Sequence, residues 1–142
     1  MISERTKVFD CSLLELPVNH QDKGNITAVN SDIELPFALK RVYYLYDVPG
    51  GEARGGHAHK ALQQFIVAAS GSFDLIVDDS ATKRTFHLNR PYIGVFMPAG
   101  LWRELNNFSS GSICLVLASE PYDEQDYIRD YSTFKNWKAI DE

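Results

Sequence analysis

Apolar and polar positions follow a period of two along most of the chain. Lys40–Val48 is rich in β-branched and aromatic residues, as a strand requires. Gln63–Ala69 and Ser72–Asp79 read as two further strands. In the second, Phe73, Leu75 and Val77 alternate with Asp74 and Ile76. Between them Ser70-Gly71 gives a tight hairpin signal. Lys83–Asn89, Tyr92–Pro98 and Ser112–Ser119 complete the set. Turn residues recur at intervals of about ten, which predicts an antiparallel sandwich or barrel. The period changes in the tail. Tyr127, Ile128, Tyr131 and Phe134 fall at i, i+1, i+4 and i+7, the face of one helix. Asp123 is its expected N-cap, and the helix is expected to lie over one end of the sandwich.

Composition narrows the function classes. The 142 residues are 44% hydrophobic and 23% charged, enough for one domain over 1–142 with its own core. The longest apolar runs are far short of a membrane span, and the N-terminus has no apolar targeting core. Two cysteines far apart in sequence, Cys11 and Cys114, read as buried thiols in a reducing compartment, so a cytoplasmic location is expected. A net charge of −5 with no basic run argues against nucleic acid as a partner. No membrane partner is expected either.

The densest chemistry lies in "GEARGGHAHKALQQFIVAASG", Gly51–Gly71. On a strand, His57 and His59 point to the same face. Counted from Gly51, the gaps to His57, His59, Gln64 and Gly71 are five, one, four and six residues. This spacing resembles the first motif of the cupin superfamily, with Gln64 at the glutamate ligand position. "GVFMPAGLWRELNN" resembles the second motif through Pro98-Ala99-Gly100, but Arg103 stands where the metal histidine belongs. The resemblance implies an all-β cupin, a jelly-roll β-sandwich, here with a C-terminal α-helix. A neutral glutamine is a weak ligand and arginine cannot ligate at all, so neither a metal nor any other cofactor is expected. A metal-free histidine pair can instead give and take a proton near neutral pH. Gln64 and Arg103 could hold an oxygen that becomes negative in the transition state. His20 and His87 lack such a setting and are expected to be surface or structural.

A longer resemblance adds to this. "PFALKRVYYLYDV", "RGGHAHKALQQ" and "VLASEPYDEQDYIRDY" are similar to segments of the dTDP-sugar 3,4-ketoisomerases, over roughly residues 23 to 137. The resemblance implies conversion of dTDP-4-keto-6-deoxy-D-glucose to the 3-keto sugar through an enediolate, without a metal. It implies that His57 and His59 are catalytic, with His59 as the main shuttle between C3 and C4. It places Arg54, Tyr44, Gln64, Lys23, Trp102 and Arg103 around the substrate, although Tyr43 and Tyr44 must face opposite ways. Lys23 and Arg103 would bear on the face at which C4 is reprotonated, the arginine leaning toward the gluco series. A strand-exchanged homodimer is implied as well. So is work alongside a PLP aminotransferase making 3-amino-3,6-dideoxy sugars, as in O-antigens, and alongside or fused to an acetyltransferase. Two other readings compete: a 3,5-epimerase of the same substrate class, and a non-catalytic nucleotide-sugar-binding cupin.

Overall fold

The computed structural model describes residues 3–139; residues 1–2 and 140–142, the ends of the expected 1–142 domain, lie outside the described residues. Two five-stranded antiparallel sheets face each other. The first runs β1 (Ser12–Glu15), β9 (Ile93–Met97), β6 (Gln64–Ser70), β11 (Ile113–Ala118) and β4 (Arg41–Leu45). The second runs β12 (Tyr127–Ile128), β5 (Arg54–His59), β10 (Trp102–Asn106), β7 (Phe73–Asp78) and β8 (Lys83–Leu88). A separate hairpin joins β2 (Asn19–Gln21) to β3 (Gly24–Ile26), and helix α1 covers Tyr131–Ala139.

The period-two pattern sets the faces. Tyr43, Val116, Ile66 and Val95 pair in one row across the first sheet. All four meet the core, against Leu75, Val77 and Leu105 of the second sheet. The first sheet also buries its outer face: Phe65, Val67 and Leu117 pack under Leu16, Leu35 and Phe37 from the long segment before β4. Burial on both faces explains why β6 and β11 read as unbroken apolar runs rather than clean alternations.

Two expectations are corrected. Ser70-Gly71 does not close a hairpin, because β6 and β7 belong to different sheets. Gly71, at φ +66°, turns the chain from one sheet to the other, packed so closely that an added Cβ would stand 2.8 Å from the Ser112 Cα. The tail is not helical from Asp123. A 3-10 turn at Glu124–Asp126, capped by the Asp123 carboxylate, leads into β12, and α1 starts only at Tyr131. Asp130 accepts the Thr133 N–H at 2.9 Å and so serves as the helix cap. Tertiary pairing wins over the helical pattern because Tyr127 and Ile128 form a ladder with His59 and Ala58. Helix α1 lies on the outer face of the second sheet, where Phe134 packs with Ala58, Trp102 and Ile128.

Candidate active site

The site lies on the inner face of the second sheet near the free edge of the first. His57 and His59 project together from β5. Arg103 on β10 is the ladder partner of His57, and Tyr127 on β12 is that of His59. Register therefore brings these four residues to one face. A bulge in β5 adds a fifth. Arg103 opposes His57, but Leu105 opposes Arg54, so β5 carries one extra residue. Gly55 absorbs it at φ +78°, a conformation that glycine adopts without steric cost. Without the bulge, Arg54 and His57, three apart, would face opposite ways; with it, both line the same cavity.

That cavity holds about 410 Å³, within the size range of small-molecule sites. Arg41, Arg54, Arg103 and Arg129 line it, and no carboxylate among the described residues does. The protein carries a net charge of −5, so the positive field is local and suits an anionic ligand. Tyr43, Tyr122 and Tyr127 supply aromatic walls. Arg129 stacks over Tyr127 at 4.2 Å and pairs with Glu124 at 2.6 Å, which closes one side of the mouth.

At the buried end, Arg103 is 2% exposed. Its Nη2 donates to the Tyr43 hydroxyl at 2.8 Å and to His57 Nε2 at 3.3 Å. Tyr43 in turn donates to the Gln64 side-chain oxygen at 3.2 Å. Arginine has no acceptor, so His57 Nε2 must carry its lone pair toward the guanidinium. Arg103 Nε and Nη1 are buried with no hydrogen-bond partner. Unpaired buried donors of this kind are costly, and they keep a full positive charge at this end of the cavity. Burial, then the Arg103 charge, pushes the His57 pKa down to about 3. Burial, then the neighbouring His57, pushes that of His59 to about 2. Both rings are neutral at physiological pH. Burial raises the Tyr43 phenol above its ordinary value, keeping its proton in place.

The structure sorts the residues expected from sequence. His57, Arg54 and Arg103 line the cavity. Gln64 sits behind it as the acceptor for Tyr43. His59, 1% exposed, lies behind His57 with ring centroids 4.8 Å apart and does not line the cavity. Tyr44 points the other way, 58% exposed and in tilted ring contact with Tyr46; strand alternation makes Tyr43 the inward residue. Trp102 also faces away, under Tyr131 and Phe134, because its neighbour Arg103 takes the inner face. Lys23 is exposed in the turn of the β2–β3 hairpin and does not line the cavity. His20 and His87 are exposed, held by Asn25 and Asp74 at 2.6 Å. Sequence reasoning did not place Arg41, Tyr122, Tyr127 and Arg129 at the site. Tyr127 and Arg129 sit in the tail expected to be helix, with Tyr122 just before it, and a short strand after a 3-10 turn leaves little periodic signal. Among the described residues, no group of three or more His, Cys, Asp or Glu is arranged to hold a metal ion.

The chain has relatives among known proteins. The profile of the FdtA (WxcM-like, C-terminal) family matches residues 9–139. The chain is 42% identical over 117 residues to the TDP-4-oxo-6-deoxy-α-D-glucose-3,4-oxoisomerase of Aneurinibacillus thermoaerophilus, covering 82% of this chain and 84% of that protein. It is similar to the crystal structure of a 3,4-ketoisomerase from Helicobacter canadensis, with a TM-score of 0.89 and 40% identity over 91% of this chain and 97% of that one. The TDP-quinovose 3,4-ketoisomerase of Campylobacter jejuni superimposes with a TM-score of 0.86 and 41% identity, over 91% and 99% of the two chains.

Proposed function

The chain belongs to the FdtA (WxcM-like, C-terminal) family, and from that premise we propose that it is a TDP-sugar 3,4-ketoisomerase in which His57 carries the proton. The substrate is TDP-4-keto-6-deoxyglucose. The observation that carries the mechanism is the His57 Nε2 lone pair held 3.3 Å from a buried guanidinium with two unpartnered N–H groups. The substrate's ketone oxygen accepts from Arg103 Nη2 in place of His57 and so frees that lone pair. His57 Nε2 takes the C3 proton while negative charge grows on O4 beside Arg103, where preorganised donors stabilise it most. The resulting enediolate is reprotonated at C4 by the same His57. The O3 hydroxyl proton passes to O4, leaving a ketone at C3 and a hydroxyl at C4. Atoms and electrons balance without an oxidant, and the donor set asks for no metal.

His57 rather than His59 suits the shuttle because only His57 reaches the cavity. A free-enzyme pKa of about 3 makes it a weak base. Burial and then the positive field depress it; the substrate's diphosphate, set among Arg41, Arg54 and Arg129, offsets the second of these and so strengthens the base on binding. The product is a C3 ketone, which a PLP-dependent aminotransferase would convert to a 3-amino sugar. No helix among the described residues is long and apolar enough to cross a membrane; the nucleotide-sugar substrate favours the cytoplasm as the site of action. A homodimer with exchanged strands would cover the apolar outer groove formed by Leu16, Val18, Phe65, Val67 and Leu117. It would also give the exposed β2–β3 hairpin and Lys23 a place against a second copy.

The test is incubation with TDP-4-keto-6-deoxyglucose in D2O, with chelator present, followed by proton NMR. A 3-keto sugar with loss of the C3 proton signal is expected. Deuterium entering C5 alone would favour the epimerase reading, and binding without any exchange would favour the binder.

A further inference from the structure

Behind the proton shuttle a buried histidine, His59, faces a part-buried carboxylate, Asp126. His59 is 1% exposed and neither ring nitrogen has a hydrogen-bond partner among the protein groups. Its Nδ1 stands 3.4 Å from Asp126 Oδ2. Asp126 is held firmly there. Its Oδ1 accepts the Ala61 N–H at 2.7 Å, its Oδ2 accepts the Leu62 N–H at 3.2 Å, and its carbonyl accepts the Lys60 N–H at 3.0 Å. The next residue, Tyr127, pairs with His59 in the β5–β12 ladder. The carboxylate is therefore fixed with respect to the β5 backbone and still has lone pairs to spare.

We propose that Asp126 is a positioning residue for proton transfer, which holds His59 as the neutral tautomer protonated on Nδ1 and so leaves the His59 Nε2 lone pair in the space shared with His57. A carboxylate accepts only, so its charge 3.4 Å from Nδ1 favours the tautomer with the proton on that nitrogen and the lone pair on Nε2. The ring centroids of His57 and Tyr127 lie 4.8 and 4.3 Å from that of His59. A ring of fixed tautomer beside His57 keeps one orientation of its dipole throughout the transfer, and costs no reorganisation as the proton moves. Arg103, on the other side of His57, disfavours a positive charge on that ring. The inference rests on the ketoisomerase reading for its consequence, though not for the tautomer itself.

The tautomer is read directly by two-bond proton–nitrogen correlation NMR on the wild-type protein labelled with 15N-histidine. His59 is expected with a protonated Nδ1 and an unprotonated Nε2 at neutral pH, and Asp126→Asn is expected to lose that preference. In kinetics, Asp126→Asn should lower kcat about 10- to 100-fold with KM within about threefold, and should cost little more in a His59→Asn background, as coupled groups behave. A wild-type His59 protonated on Nε2 would overturn the proposal, whatever the kinetics of the variants. So would losses from Asp126→Asn and His59→Asn that simply multiply, the behaviour of a carboxylate that only staples the 60–62 turn. Failure of the functional reading has a different signature: no turnover by the wild type, with the tautomer result standing on its own.

Discussion

Acidification should unfold this protein earlier than its carboxylates alone would require. His57 and His59 are 8% and 1% exposed, and their pKa values lie near 3 and 2 in the fold, against about 6.5 in the unfolded chain. The unfolded state therefore binds more protons below pH 6.5. The stability these groups contribute is complete above that value and is lost as pH falls toward 3. Between pH 7 and 5 each histidine costs about 2 kcal/mol and the two together about 4 kcal/mol. A domain's whole stability is about 5–15 kcal/mol. Asp79, Glu34 and Asp130, whose carboxyls are lowered by hydrogen bonds, lose their contributions as pH falls through and below the ordinary carboxylate range, under this window. The assay is urea unfolding followed by fluorescence at pH 7, 6 and 5, at fixed protein concentration. With a slope of about 2 kcal/mol per molar urea, the midpoint should fall by about 2 M from pH 7 to 5. His57→Asn/His59→Asn should flatten that dependence. A wild-type midpoint unchanged between pH 7 and 5, or a double variant that falls just as far, would refute the reasoning.

Other consequences are open to simple checks. Tyr43→Phe should lower kcat by about tenfold or more, because it removes the hydroxyl between Arg103 and Gln64, within the range for one lost transition-state contact; Tyr44→Phe, on the opposite face, should leave kcat/KM within about twofold. Phe134→Ala, at a fully buried position, should destabilise by about 3–5 kcal/mol in thermal or urea melts, and substrate binding should survive at temperatures where the fold persists. Burial raises both thiols, Cys11 and Cys114, to about 12, so a thiolate-directed alkylating reagent should label neither at neutral pH until denaturant is added.

Much of the sandwich was legible because one inward row per strand is apolar, and Ile66, Leu75, Val77, Val95 and Val116 all obey it. Pairing between sheets was not legible at Gly71, since a glycine that closes a hairpin and one that changes sheets look alike in sequence. The tail failed for a different reason. Tyr127 and Ile128 have helical spacing with Tyr131 and Phe134, but the long-range ladder to His59 and Ala58 outweighs that local preference. At the site, spacing alone singled out the histidine pair, Gln64 and Arg103. It could not distinguish the histidine that meets the cavity from the one behind it, because both point to one face and only depth separates them. Trp102 and Tyr44 turn away from the cavity by parity: the register of His57 opposite Arg103 settles the first, and that of Tyr43 opposite Val116 settles the second.

The central claim is that His57 moves the proton, and it is tested most directly by hydrogen–deuterium exchange at C3 of TDP-4-keto-6-deoxyglucose in D2O. Wild type, His57→Asn and His59→Asn would be compared at equal, saturating substrate, with TDP affinity measured alongside. The account predicts that His57→Asn loses exchange by about 10²-fold or more while TDP affinity stays within a few-fold, and that His59→Asn falls by less. Exchange by His57→Asn within about threefold of wild type, with His59→Asn inactive, would contradict it and assign the shuttle to the buried ring.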